Sequence, residues 1–202
     1  KTDNLIANAS LHYRVLPDLD IKANAGYNYI NTFSSTVVPA NANNPIYNLQ
    51  PQATLSNNFN KTYIAEPQIN YTHTWGKGKL TALLGGTWQE VIQMQPYFAL
   101  GTFTNNQLAT SIAALNILYK TSGSSDYKYI SGFGRLEYEW DGKYLVSGNF
   151  RRDGSSRFGS NQPFGNFGSG AAAWIFSRES LITDKLPWLS FGKIKMSYGV
   201  VG

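Results

Sequence analysis

KYLVSGNFRRDGSSRFGSNQPFGNFGSGAAAWIF, residues Lys143–Phe176, reads as a strand, a long polar tip and a returning strand. From Tyr144 the apolar or small residues Val146, Gly148 and Phe150 alternate with the polar Ser147, Asn149 and Arg151. Successive side chains on a strand point to opposite faces, so this segment has one apolar face and one wet face. At Arg152-Asp153-Gly154-Ser155-Ser156 the alternation gives way to a loop rich in Gly, Ser and Asn. Extended structure resumes near Phe167, and the return strand ends on the aromatics Trp174 and Phe176. A hairpin with aromatics at its short-turn end and a polar loop at the other suits a wall standing in a membrane.

The composition points the same way. Aromatic residues make up 14% of the chain and charged residues only 14%, beside 19 Gly, a balance more typical of aromatic-belted β structure than of a soluble enzyme. No apolar run approaches the roughly 18 residues of a membrane helix, the longest being Ala171–Phe176. The net charge of +5 is modest, and the only tight basic cluster is Arg151, Arg152 and Arg157, which argues against a nucleic-acid partner. With no Cys, thiol catalysis, thiolate metal sites and disulfides are excluded. The opening KTDNLIAN lacks a signal-peptide pattern, so in an exported protein the true N-terminus is expected elsewhere.

Alternation recurs along the chain. Leu5–Val15 and Leu19–Tyr29 each carry a full apolar stripe and meet at Pro17-Asp18. Strands of about eleven residues are what a tilted bilayer crossing needs. A loop of about thirty residues is expected from Asn31 to Lys61, then strands at Thr62–Trp75 and Lys79–Val91 around Gly76-Lys77-Gly78. A second long segment, Ile92–Asp126, holds a candidate short helix or lid at Asn106–Tyr119. Tyr127–Trp140 sets Ile130, Leu136, Tyr138 and Trp140 against Arg135, Glu137 and Glu139. Asp141-Gly142 is a two-residue hairpin signal. After the hairpin quoted above, strand seven is expected over Asn166–Phe176, a connection over Ser177–Leu189 and a last strand over Ser190–Val201. The fold is therefore all-β, an antiparallel meander of about eight strands with short turns at one end and long loops at the other, as in outer-membrane barrels. A soluble two-sheet sandwich would also alternate, but explains the sorted loops and terminal aromatics less readily.

Three motifs then fall in order: RDGSSRFG at Arg152–Gly159, AAAW at Ala171–Trp174, and GKIKMSYGVVG at Gly192–Gly202. In this order they resemble the barrel region of SusC/RagA-type TonB-dependent outer-membrane transporters. The resemblance is specific over Tyr127–Gly202 and looser over Leu5–Trp88. It departs at Gly168-Ser169, where the family more often has Pro-Ser, and at Lys193-Ile194-Lys195. It implies that residues 1–202 are part of a larger barrel of about 22 strands with a plugged lumen, the plug and signal peptide lying outside this chain. It further implies the outer membrane of a Gram-negative, Bacteroidota-like bacterium. Import of glycans or oligopeptides would be driven through TonB, with a SusD-like surface lipoprotein as partner and outer-membrane lipid around the wall. The alternatives are a free-standing eight-stranded outer-membrane barrel, an adhesin or lipid-modifying enzyme, since eight strands suffice to close one, and a soluble carbohydrate-binding β-sandwich.

No catalytic set or cofactor motif emerges. The Gly-rich stretches lack phosphate-loop spacing, no nucleophile elbow is present, and His12 and His73 are too few for a metal site. Arg151, Arg152, Asp153 and Arg157 are the candidate contacts. They either line the lumen or its rim against substrate or plug, as charges in a membrane wall face its polar interior, or simply pair with neighbouring carboxylates as the loop begins. Phe33, Tyr47, Phe59, Tyr97, Phe98 and Phe103 suit either stacking on sugar rings or loop packing.

Overall fold

The computed structural model describes residues 1–42, 45–47, 49–159, 163–186 and 188–200. Among these, eight strands form one antiparallel meander: β1 (Thr2–Leu16), β2 (Leu19–Val38), β3 (Gln52–Trp75), β4 (Gly78–Thr102), β5 (Asn116–Trp140), β6 (Tyr144–Ser155), β7 (Phe164–Trp174) and β8 (Ile194–Val200). Their order in the sheet is their order in the chain, so a two-sheet sandwich is excluded for the described residues. One short helix, α1 (Ser180–Lys185), interrupts the connection after β7. No helix among the described residues is long and apolar enough to cross a membrane.

The tight turns follow from local chemistry. Asp141 and Gly142 have φ of 52° and 64°, positive at both central positions, which matches the twist of the strands they join. The Lys143 N–H donates to the Trp140 carbonyl at 3.0 Å and closes this turn. Register then fixes the faces. Glu137 opposes Ser147, which opposes Ala171, which opposes Ser197; one step along, Leu136, Gly148, Gly170 and Tyr198 form a row on the other face. A slip of one residue would exchange the two sets. Trp140 pairs with Tyr144, so the connection holds three residues, Asp141–Lys143, one more than the two-residue hairpin expected, and this extra residue keeps the apolar positions of β5 and β6 on one face.

Several boundaries differ from the expectation. The segments Asn31–Lys61 and Ile92–Asp126 are largely strand: β2 continues to Val38, β3 starts at Gln52, β4 runs to Thr102 and β5 starts at Asn116. Periodicity detects a difference between faces, and the Asn-, Ser- and Thr-rich ends of β2, β3 and β5 offer little of it; on β4, by contrast, Ile92, Met94, Phe98 and Leu100 alternate with Gln93 and Gln95, a strand signal that Pro96 interrupts. The candidate helix or lid at Asn106–Tyr119 is two single 3-10 turns, Asn106–Leu108 and Ile112–Ala114, running into β5. β7 closes at Trp174, with Phe176 opening a 3-10 turn, and β8 spans Ile194–Val200; Val201 lies outside the described residues.

The chain packs as two compact units. The first comprises Lys1–Ala7, Gly26–Tyr63 and Glu90–Tyr127. Its small core gathers Ala53, Leu55, Phe103, Ala109 and Leu115, with Phe33, Tyr97 and Ile112 packed against it. The connector between β4 and β5 supplies Phe103, Ala109 and Leu115, and Asn105 starts its first 3-10 turn by accepting the Gln107 N–H on Oδ1 at 2.9 Å. The second unit comprises Asn8–Ala25, Ile64–Gln89 and Lys128–Gly202. Its large apolar side chains stand outward instead: Leu136, Val146, Phe150, Met196 and Tyr198 are all exposed. A contiguous exposed apolar face of this kind calls for an apolar surrounding.

Candidate functional site

Polar chemistry in the second unit collects on the face opposite those exposed residues. Phe133, Arg151 and Phe167 form one cross-strand row, and Arg135, Asn149 and Ser169 the next. Together they line a recess of about 350 Å³. Gly85 makes room here, because a Cβ at that position would sit 2.6 Å from the Phe133 ring.

Within this site Arg151 and Asp153 are brought together. Two residues apart on β6, they share a face, and the Arg151 Nε–H reaches both carboxylate oxygens of Asp153 at 2.7 and 3.0 Å. Tyr129 on β5 closes the triangle. Its hydroxyl accepts from Arg151 Nη2 at 2.6 Å and donates to Asp153 Oδ1 at 3.0 Å. The guanidinium also lies 5.6 Å from the centre of the Phe133 ring. A cation so held, over the Phe133 ring and with Phe167 as its cross-strand partner, is a fixed polar surface rather than a free counter-ion.

The other two candidates are elsewhere. Alternation sends Arg152 to the opposite face, where its guanidinium lies 4.6 Å from the centre of the Phe164 ring. Arg157 is in the turn after β6, its N–H donating to Ser155 Oγ at 3.2 Å. Sequence reasoning passed over Tyr129, Phe133 and Phe167. The signal for the first two was the odd-numbered register of β5, which already held Arg135, Glu137 and Glu139.

Glu179 was missed too, and it anchors the short-turn end. Its carboxylate accepts from the Tyr144 hydroxyl at 2.6 Å, Trp174 Nε1 at 3.1 Å and Lys143 Nζ at 3.3 Å. The Tyr144 bond, then that of Trp174, hold the Glu179 carboxyl below the usual carboxylate range. Asp141, bridged by Lys77 and then Lys143, is lowered in the same way, and Lys143 is raised by Asp141 and then Glu179. Nearby, Tyr71, His73, Trp75, Tyr138 and Trp140 follow one another at ring separations of 5.7–6.4 Å, an aromatic belt of the kind that marks a membrane–water boundary.

In the first unit an open groove of about 480 Å³ is edged by Asn58, Asn60, Gln93, Gln95, Ser124 and Ser125. Ile30, Phe59 and Met94 lie between these neutral amides and hydroxyls, so the groove is mixed in character. Of the aromatics with two open readings, packing accounts for Phe33, Tyr97 and Phe103 in the core, for Phe59 against Tyr29, and for Phe98 against Tyr119; Tyr47 stands exposed. The histidines each meet a carboxylate, His12 with Asp20 at 3.0 Å and His73 with Asp18 at 2.7 Å. No group of three metal-ligating side chains occurs among the described residues.

Comparison with known proteins yields no matching family model. It does find relatives. TonB-dependent receptor P3 of Formosa agariphila is 27% identical over 208 residues, 100% of this chain and 20% of the receptor. TonB-dependent receptor P26 of the same organism is 34% identical over 145 residues, 68% of this chain and 14% of the receptor. TonB-dependent receptor SusC of Bacteroides thetaiotaomicron is 26% identical over 208 residues, again 100% of this chain and 20% of the receptor. The chain thus spans a fifth or less of the length of these relatives. In fold it matches the RagAB peptide transporter with a TM-score of 0.83 at 24% identity, covering 98% of this chain and 22% of that one. With its apolar outer face and polar inner one, the chain belongs to the SusC/RagA-type TonB-dependent receptors, as a length of their transmembrane β-barrel wall.

Proposed function

We propose that this wall is part of an outer-membrane active importer of glycans or oligopeptides, driven through TonB and served by a SusD-like surface lipoprotein. The observation that carries the proposal is the two-sided wall. Rows of Arg, Glu, Asn and Ser face one way while Leu, Val, Met and Tyr face the other, which is the division between lumen and lipid. The relatives are named receptors and the solved neighbour a peptide transporter, which supports nutrient import over catalysis. In this reading residues 1–202 all belong to the barrel domain of the larger protein. β1 and β8 are exposed along their whole length, and in lipid such edges require further strands to pair with them. Arg151, Asp153 and Tyr129 then form part of the lumen lining, while Arg152 and Arg157 belong to its outer surface and rim.

The test uses the full-length receptor in its own bacterium. Deleting the gene should abolish growth on one class of nutrient, oligopeptide or glycan, and the wild-type copy should restore it. Affinity purification of the tagged receptor should bring down a lipoprotein. Arg151→Gln should slow uptake of labelled nutrient without lowering the amount of folded receptor. Unchanged growth on every oligopeptide and glycan supplied would remove the import proposal.

A further inference from the structure

A second basic site stands on the lipid-facing side of the wall. Counting rows from Trp140 at the short-turn end, Gly132 lies eight residues along β5 and is paired with Arg152. At ~3.4 Å per residue and a tilt of ~40°, this row rises roughly 20 Å, against an apolar band of about 25 Å. Between the two rows this face carries Leu136, Tyr138, Val146, Phe150, Met196 and Val200 with small Gly and Ala. On this face Arg152 is therefore the first charge met along β6 in crossing from the short turn. Its guanidinium stacks on Phe164, which belongs to the next row outward, opposite Gly154. The side chain thus extends toward the outer boundary, as a long cationic chain in lipid does to bring its head to the interface.

The surroundings at that height form a seat. Trp88, Lys128, Ile130, Gly154, Ser156 and Phe164 line a recess of about 370 Å³, which shares the Phe164 ring with the stacked guanidinium. Gly154 is needed for its shape: a Cβ there would fall 2.6 Å from the Phe164 ring. Arg152 is exposed and lies over the Phe164 ring, and among the described residues no carboxylate pairs with it. Arg151, one residue away, is by contrast fully engaged with Asp153 and Tyr129.

We propose that Arg152, with the recess lined by Trp88, Ile130 and Phe164, binds the phosphate of an anionic lipid headgroup at the outer edge of the apolar band. The guanidinium fork supplies the two donors that a phosphate accepts. The aromatic recess takes the first methylenes of the acyl chains. A lipid is favoured over a free anion because the cation is presented on the apolar register. The site is independent of whether the barrel imports anything.

The test is native mass spectrometry of the delipidated full-length receptor, titrated with phosphatidylglycerol, phosphatidylcholine or inorganic phosphate. Wild type should retain phosphatidylglycerol in preference to phosphatidylcholine, and inorganic phosphate at the same concentration should not displace it. Arg152→Gln should weaken phosphatidylglycerol binding by about tenfold, the loss of a charge-assisted hydrogen bond. Arg152→Lys, which keeps the charge, should bind more tightly than Arg152→Gln. Equal retention of the two lipids by wild type would overturn the proposal without recourse to any variant. So would displacement by inorganic phosphate, or undiminished binding by Arg152→Gln.

Discussion

Leu136 offers a sharp perturbation of the wall. It lies four residues from Trp140 on β5, in the row Leu136–Gly148–Gly170–Tyr198, and its side chain is 54% exposed. At ~3.4 Å per residue and ~40° tilt the site rises about 10 Å from the Trp140 row, near the middle of a band of about 25 Å. Leu136→Arg places a guanidinium there with no carboxylate in its row and the boundary out of reach. Such a substitution costs about 2–4 kcal/mol, which moves the folding equilibrium roughly 30- to 700-fold. The matched control is Ser147→Arg, next to that row but on the other face, opposite Glu137. In a wet lumen beside a carboxylate, its cost should stay within about 0.5 kcal/mol. The assay is urea titration of the full-length receptor in phospholipid vesicles, with the heat-modifiable gel band reporting folded barrel. Equal costs for the two variants, or a larger cost for Ser147→Arg, would refute the assignment of the faces.

Two further outcomes follow from the ends of the strands. Leu55 is 1% exposed, and Leu55→Ala should cost about 2–5 kcal/mol locally; hydrogen exchange should rise at the connector amides 103–115 and remain slow in β6. For Glu179 the hydrogen bonds from Tyr144 and Trp174 favour the charged carboxylate in the folded state. The stability it contributes is complete above the ordinary carboxylate range and is lost as pH falls through its lowered value. Wild type should therefore lose thermal stability in that acid window, and Glu179→Gln should be less stable at neutral pH and flatter across the same window. A parallel loss in both proteins would show that Glu179 does not carry it.

The parts of the fold that the sequence made legible are those where the two faces meet different surroundings. β5, β6 and β7 alternate because lipid selects one set of side chains and the lumen the other, and Asp141-Gly142 marks their turn by its need for positive φ. The ends of β2, β3 and β5 resemble loops in sequence, since Asn, Ser and Thr on both faces leave little period to find, whereas β4 keeps Ile92, Met94, Phe98 and Leu100 in alternation up to and beyond Pro96. At the site, adjacency in sequence was misleading. Arg151 and Arg152 are consecutive and therefore face opposite ways, whereas Asp153 and Tyr129 reach Arg151 through alternation and cross-strand register. Glu179 has no pattern of its own; its role appears only when the connector after β7 brings it beneath Tyr144 and Trp174.

The most direct measurement is an accessibility scan of β5 and β6 in the full-length receptor embedded in a bilayer. Single nitroxide labels at 133–138 and 145–150 would be read against oxygen, which concentrates in lipid, and a water-soluble nickel chelate. An alternating profile is predicted, with even positions such as 136, 146 and 150 favouring oxygen and odd positions such as 135, 147 and 149 lacking that lipid signature. A flat profile, or nickel access at the even positions, would contradict a membrane wall.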